Sequence, residues 1–214
     1  MPRNSSSRYP ARQSSVTDLF LQRWLLGLHR INEREWCRKY DVTIWAWCQM
    51  PNHVLLTAVP LTENGLARAT GEAHRRYTIR INFRENWRGH LWQERFTSFP
   101  MDESHLIAAI RYVEMKPVAA GLVSSPAEYR WSSARGHSEN THDMLATVFP
   151  FPYLILNWVD YLRLSSEKEL KMMKDHEKTG RPLGSNSFID KIEHAVGRIL
   201  RPQKPGPKKK RHNS

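Results

Sequence analysis

Cysteine is nearly missing from this chain. Cys37 and Cys48 are the only two in 214 residues. That excludes a disulfide scaffold and fits a reducing compartment such as the cytoplasm. No run of about 20 apolar residues occurs, so nothing reads as a bilayer span. The stretch Leu19 to Leu28 comes nearest. Gln22 and Arg23 interrupt it and a polar leader precedes it, which argues against a secretory signal. Acidic residues are also scarce. There are 21 Asp and Glu against 33 Lys and Arg, a formal net charge of +12 with a pI near 10.0. No internal repeat is visible. What is present is a 40% apolar composition, enough for one domain with a real core plus a smaller appendage. A chain this basic is drawn to polyanions, with nucleic acid the first candidate and a membrane surface the rival.

The spacing of residue types divides the chain. Residues 1–15 are Arg/Ser-rich and lack acids, and read as a disordered leader, with a transit peptide as the alternative. From Val16 to about Lys39, apolar positions recur at steps of three and four, which predicts an amphipathic helix. Val42 to Cys48 and Val54 to Val59 are short, rich in β-formers and separated by Pro and Asn, which predicts an antiparallel hairpin. Leu61 to Arg84 is again helical, with Leu66, Ala69, Ala73, Tyr77 and Ile81 as its inner stripe. Arg95 to Phe99 is a short strand candidate. Asp102 is placed to cap a helix that runs to Lys116 and stops at Pro117. Residues 16–139 thus form the main domain. Residues 140–200 form a helical C-terminal region, where Ser165 to Glu177 and Ser185 to Leu200 flank a Gly-containing turn in the manner of a helix-turn-helix. Residues 201–214 are a basic flexible tail.

Two side chains carry potential chemistry. His53 opens the second hairpin strand. A strand-borne His-x-His sets two imidazoles on one face and suits a divalent metal, but Leu55 occupies the second position. On the later helix, His105, Ala108, Ala109, Tyr112 and Lys116 share one face, while Leu106, Ile110 and Val113 point to the core. Tyr112 reads either as a tyrosine at the core edge or as a nucleophile. A phenolate can attack a phosphodiester if its proton is removed and a cation holds the phosphate.

Met50-Pro51-Asn52-His53-Val54-Leu55 resembles the Met-Pro-Asn-His-hydrophobic-His signature of the single-tyrosine transposases of the His-hydrophobic-His superfamily. Arg111 to Val123 resembles that family's Tyr-x-x-x-Asn-Pro-Val-x-Ala-Gly-Leu-Val block. Leu91-Trp92-Gln93-Glu94-Arg95-Phe96 and Trp131-Ser132-Ser133-Ala134 resemble two further motifs. The similarity spans roughly residues 40–137 and is nearest to the REP-associated tyrosine transposases. It implies an α+β fold, a ferredoxin-like antiparallel sheet with helices on one face. It implies cutting and rejoining of hairpin-bearing single-stranded DNA through a phosphotyrosine intermediate. It also implies a divalent metal, Mg or Mn, held by two histidines and an Asn or Gln one turn after the tyrosine. Carried over, Tyr112 is the nucleophile and His53 the first metal ligand.

The chain departs from that pattern at Leu55 and Lys116, which stand where the other two ligands belong, and in lacking the usual first strand. The resemblance therefore describes a degenerate copy, weak or inactive in metal-dependent cutting. The alternative function is that of a hairpin-DNA-binding protein. The missing strand is expected to leave the sheet with an exposed edge or an incomplete core. DNA contacts are expected from Arg68, Arg75, Arg76, Arg80, Arg84 and Arg88. Trp87 and Trp92 either stack on unpaired bases or belong to the core, and Lys208, Lys209, Lys210 and Arg211 either add nonspecific attraction or serve as a solubilising tail. A cytoplasmic, nucleoid-associated protein follows, compatible with a homodimer.

Overall fold

A computed structural model describes residues 33–92, 95–147, 157–164 and 166–202. The leader, most of the helix expected from Val16 and the lysine cluster of the tail lie outside the described residues. The chain is helical over residues 33–39 (α1) and then turns at Asp41, whose φ of 53° is in the left-handed region. The hairpin follows: β1, Val42–Met50, pairs antiparallel with β2, His53–Pro60. Pro51 and Asn52 make the tight turn, so Met50 faces His53 and Cys48 faces Leu55 across the ladder.

A bulge between Ile44 and Ala46 resets the alternation of β1. An extra residue in one strand flips the parity of all that follow. Val42, Ile44 and Trp47 therefore share one cluster with Ala69, Ala73, Tyr77 and Ile81 of α2, Gly65–Glu85. Ala46, Cys48 and Met50 join a second cluster with Leu106, Ile110 and Val113 of α3, Glu103–Glu114. One helix flanks each face, and β1 is buried between them, with Trp47 fully enclosed. Burying such a side chain contributes about 2–3 kcal/mol.

The expected α+β class is what the fold shows, with a two-stranded sheet among the described residues. The edge of β1 that a missing strand would leave open is covered at two points. Gln49 N–H donates to Trp131 O at 2.8 Å, and Ser133 N–H donates to Trp47 O at 3.0 Å. Nearer the strand's start, Thr147 N–H donates to Ile44 O at 2.8 Å. The expectation of an exposed edge is thus corrected: non-local loop segments supply the missing ladder bonds.

The expected strand at Arg95 to Phe99 is not formed either. Phe99 instead packs beside α3, and Pro100 O accepts from Leu183 N–H at 2.9 Å. Helix α3 ends one turn before Pro117, which starts a new short helix, α4, Lys116–Ala119. Proline has no N–H to continue the first ladder but suits an opening turn. Then come α5 (Ala134–Glu139), α6 (Trp158–Arg163), α7 (Glu167–Thr179) and α8 (Asn186–Val196).

One carboxylate ties these parts together. Glu114 is fully buried. It accepts from Ser133 Oγ at 2.5 Å, His137 Nδ1 at 2.6 Å and Trp158 Nε1 at 2.8 Å. Three donors satisfy a group that would otherwise be costly to bury. Ser133 Oγ also receives the Trp47 N–H at 3.1 Å, so the Trp131-Ser132-Ser133 motif joins strand, helix and C-terminal segment.

Candidate functional site

Helix α3 has two working faces. Leu106, Ile110 and Val113 meet the hairpin. Ala109 and Tyr112 turn away, into a separate cluster with Met173 of α7 and with Leu183. The spacing of apolar and small residues along α3 is what produces this split. Tyr112 is 7% exposed, and Met173 beside it is 1% exposed. Its hydroxyl donates to Glu177 Oε2 at 2.6 Å. Burial, then the hydrogen bond to Glu177 and the negative charge behind it, push the phenol well above its ordinary pKa. At neutral pH it is held firmly protonated.

Lys116 completes the arrangement. Its Nζ lies 3.5 Å from Glu177 Oε2 and 4.2 Å from the centre of the Tyr112 ring. Burial lowers the pKa of this amine, and Glu177 works against that shift. His53 stands in the same electrostatic neighbourhood. Burial pushes its imidazole down to about 4, the Lys116 charge pushes the same way, and Glu177 opposes. His53 is therefore neutral at pH 7. Its Nδ1 shares a 2.6 Å hydrogen bond with Asn52 Oδ1. Tyr112 and Lys116, selected from the sequence, thus meet around one carboxylate, Glu177, that the sequence did not single out, and His53 feels the charges of Lys116 and Glu177. Glu177 sits 65 positions from Tyr112 on a helix with no motif of its own.

A divalent metal does not fit the residues present. His53 could offer one nitrogen. Leu55, which follows it on the same strand face, is packed into the α3 cluster. Lys116 brings an ammonium where a lone pair is needed. Among the described residues no group of three His, Cys, Asp or Glu side chains could hold a metal ion. His105 lies at the start of α3, about two turns before Tyr112, with its Nδ1 held by Asp102 Oδ1 at 2.6 Å. A cleft of about 450 Å³ lined by Arg34, Arg38, Thr43 and His142 includes neither His53 nor Tyr112.

The arginines lie mostly along the outer side of α2. Arg68, Arg75, Arg76 and Arg80 are exposed, as is Arg88 beyond its end, whereas Arg84 is half-buried and paired with Glu85. Arg75 is paired with Glu72 at 2.6 Å. Arg68 stands over the Tyr40 ring at 4.5 Å, and Arg76 lies 5.5 Å from the Trp36 ring. The two tryptophans take the core alternative rather than the base-stacking one. Trp87 is half-buried and packs on the core. Trp92 does the same, stacks on His74 at 3.8 Å and donates its indole N–H to His74 O at 3.4 Å. Neither stands clear of the core, because an indole on a short loop beside an apolar helix is drawn inward. Lys208, Lys209, Lys210 and Arg211 lie outside the described residues.

Comparison with known proteins identifies the central segment. Residues 20–116 match the family model described as transposase IS200 like. The match spans the hairpin, α2 and α3 as far as Lys116. No curated protein and no solved structure matches the chain. No helix among the described residues is long and apolar enough to cross a membrane.

Proposed function

From the premise that residues 20–116 carry an IS200-like transposase segment, we propose that this chain binds hairpin-bearing DNA with a single-stranded flank and does not cut it. The observation that carries the reading is the placement of Lys116. Its ammonium lies 4.2 Å from the Tyr112 ring and 3.5 Å from Glu177, and it stands one turn after Tyr112, where the family resemblance calls for an Asn or Gln ligand. A tyrosine nucleophile needs its proton removed and the phosphate charge held. Here the phenol is kept protonated, helix α7 covers it, and the donor set for a metal is broken at positions 55 and 116. Losing one such stabiliser of a transition state costs about 100-fold or more.

The grip on DNA is a separate matter and survives. Arg68, Arg75, Arg76, Arg80 and Arg88 supply phosphate contacts, which position a nucleic acid without reading its sequence; Arg84, half-buried and paired with Glu85, does not. Fluorescence anisotropy tests the reading with three labelled oligonucleotides: a hairpin with a single-stranded flank, a scrambled strand of equal length and a blunt duplex. The flanked hairpin should bind about tenfold or more tighter than the scrambled strand, with all affinities falling as salt rises. Equal affinity for hairpin and scrambled strand would defeat it.

A further inference from the structure

Two apolar side chains stand unburied in the middle of the basic face of α2. Ile79 is 54% exposed and Phe83 is 90% exposed. They are four residues apart and so neighbours on the helix surface. Arginines frame them at helical spacing: Arg75 and Arg76 lie one turn before Ile79, and Arg80 lies one turn before Phe83. All three are exposed. The inner stripe of the same helix, Ala69, Ala73, Tyr77 and Ile81, is already buried against the hairpin, so the fold does not need Ile79 and Phe83 for its core. An arginine ridge alone would serve a duplex backbone. A projecting aromatic ring does not help that contact, because paired bases hide their faces in the stack. An unpaired base presents its flat face and welcomes an aromatic partner, while the adjoining phosphates match the arginines. With Trp87 and Trp92 turned into the core, Phe83 is the aromatic that stands free on this face.

We infer that the outer face of α2 is a single-stranded DNA platform, with Phe83 stacking on an unpaired base and Arg75, Arg76 and Arg80 holding the flanking phosphates. The occupant is fixed by charge complementarity: the three cations around the apolar pair suit a polyanion better than an apolar protein surface. This inference rests on the DNA-binding function proposed above and adds which part of the DNA the helix takes. It assigns the single-stranded flank to α2.

The test uses the full chain and three variants, Phe83→Ala, Phe83→Leu and Phe83→Trp. Each is titrated with a labelled oligothymidine strand and with a blunt duplex across a salt series. Phe83→Ala and Phe83→Leu should both weaken strand binding about tenfold, the scale of one lost base stack. Phe83→Trp should retain it. The slope of log affinity against log salt should not change, because the phosphate contacts remain. Duplex binding should not move. Leucine separates stacking from simple apolar contact, and full binding by Phe83→Leu overturns the inference. Unchanged strand binding by Phe83→Ala overturns it while leaving the proposed function intact; a wild-type chain that binds no DNA removes both. Sedimentation and thermal unfolding of Phe83→Ala close the rival cases. A dimer that dissolves would show that a second copy covers the face. A lowered melting temperature would show that the chain's own segment does. Either result overturns the inference.

Discussion

The Tyr112 site and the outer face of α2 are built from similar residue types and end in opposite states. At the first, Tyr112, Lys116 and Glu177 satisfy one another: the phenol bonds to the carboxylate at 2.6 Å and the amine lies 3.5 Å from it. At the second, Arg76 and Arg80 project from a helix with Ile79 and Phe83 uncovered between them. A buried polar group is stabilised by partners that also occupy it, so a site closed in this way is not free for a substrate. An exposed cation gains little from its neighbours in water and remains available to phosphate. On the proposed function, chemistry and recognition are separate within one small domain: the Tyr112 cluster serves the packing of α3 on α7, and the outer face of α2 takes the DNA.

The comparison breaks most readily at the open face. Replacing Arg75, Arg76 and Arg80 together with alanine should reduce affinity for flanked hairpin DNA about 100-fold at physiological salt. It should also flatten the log–log salt slope by about 3, one unit per lost phosphate contact. Melting temperature should hardly change. A slope that stays as steep as in the wild type would place the phosphate contacts elsewhere.

The closed side should show in acid. His53 has a folded pKa near 4, below its ordinary 6.5, chiefly through burial. A group depressed in this way is neutral in the folded chain while the unfolded chain takes up a proton, so its contribution to stability is lost as pH falls from about 6.5 towards 4. His53→Gln removes that term. Urea unfolding at pH 7 and pH 4.5 should show the wild type losing about 2 kcal/mol more than the variant. Equal losses would mean that His53 is not held neutral beside Lys116.

Tyr112→Phe should cost about 1 kcal/mol of stability, the net worth of a hydrogen bond, and leave DNA affinity unchanged. A fall in affinity would show that the two regions are coupled. The smallest effect concerns the lost ligands. Leu55→His with Lys116→Asn restores the two missing donors, and manganese should raise the melting temperature of that variant by about 2 °C while leaving the wild type unmoved. No shift in the variant would indicate that α7 blocks the site even when the donors are present.

How much of this was legible depended on sequence separation. The hairpin, the buried stripe of α2 and the two faces of α3 follow from periods of two and three to four, which local spacing records. Tyr112 and Lys116 share a turn, so their contact was readable too. Glu177 was not, because a carboxylate on α7 meets Tyr112 only through tertiary packing. Glu114 was missed for the same reason: on its own helix it looks like a solvated acid, and only Ser133, His137 and Trp158, brought from elsewhere, make it a buried hub. The bulge after Ile44 also escaped, since a run of Trp45, Ala46 and Trp47 is apolar on either parity. Phe83 was overlooked because it falls between two arginines at a helix end, whereas Trp87 and Trp92 drew attention by residue type.

The central claim is that this chain holds DNA without cutting it. Its most direct test is to incubate the full chain with a flanked hairpin oligonucleotide and manganese, then resolve the products under denaturing conditions beside a native mobility shift. The account predicts a shifted band in the native gel and no covalent protein–DNA species in the denaturing one. A covalent adduct in the wild type that disappears in Tyr112→Phe would contradict it.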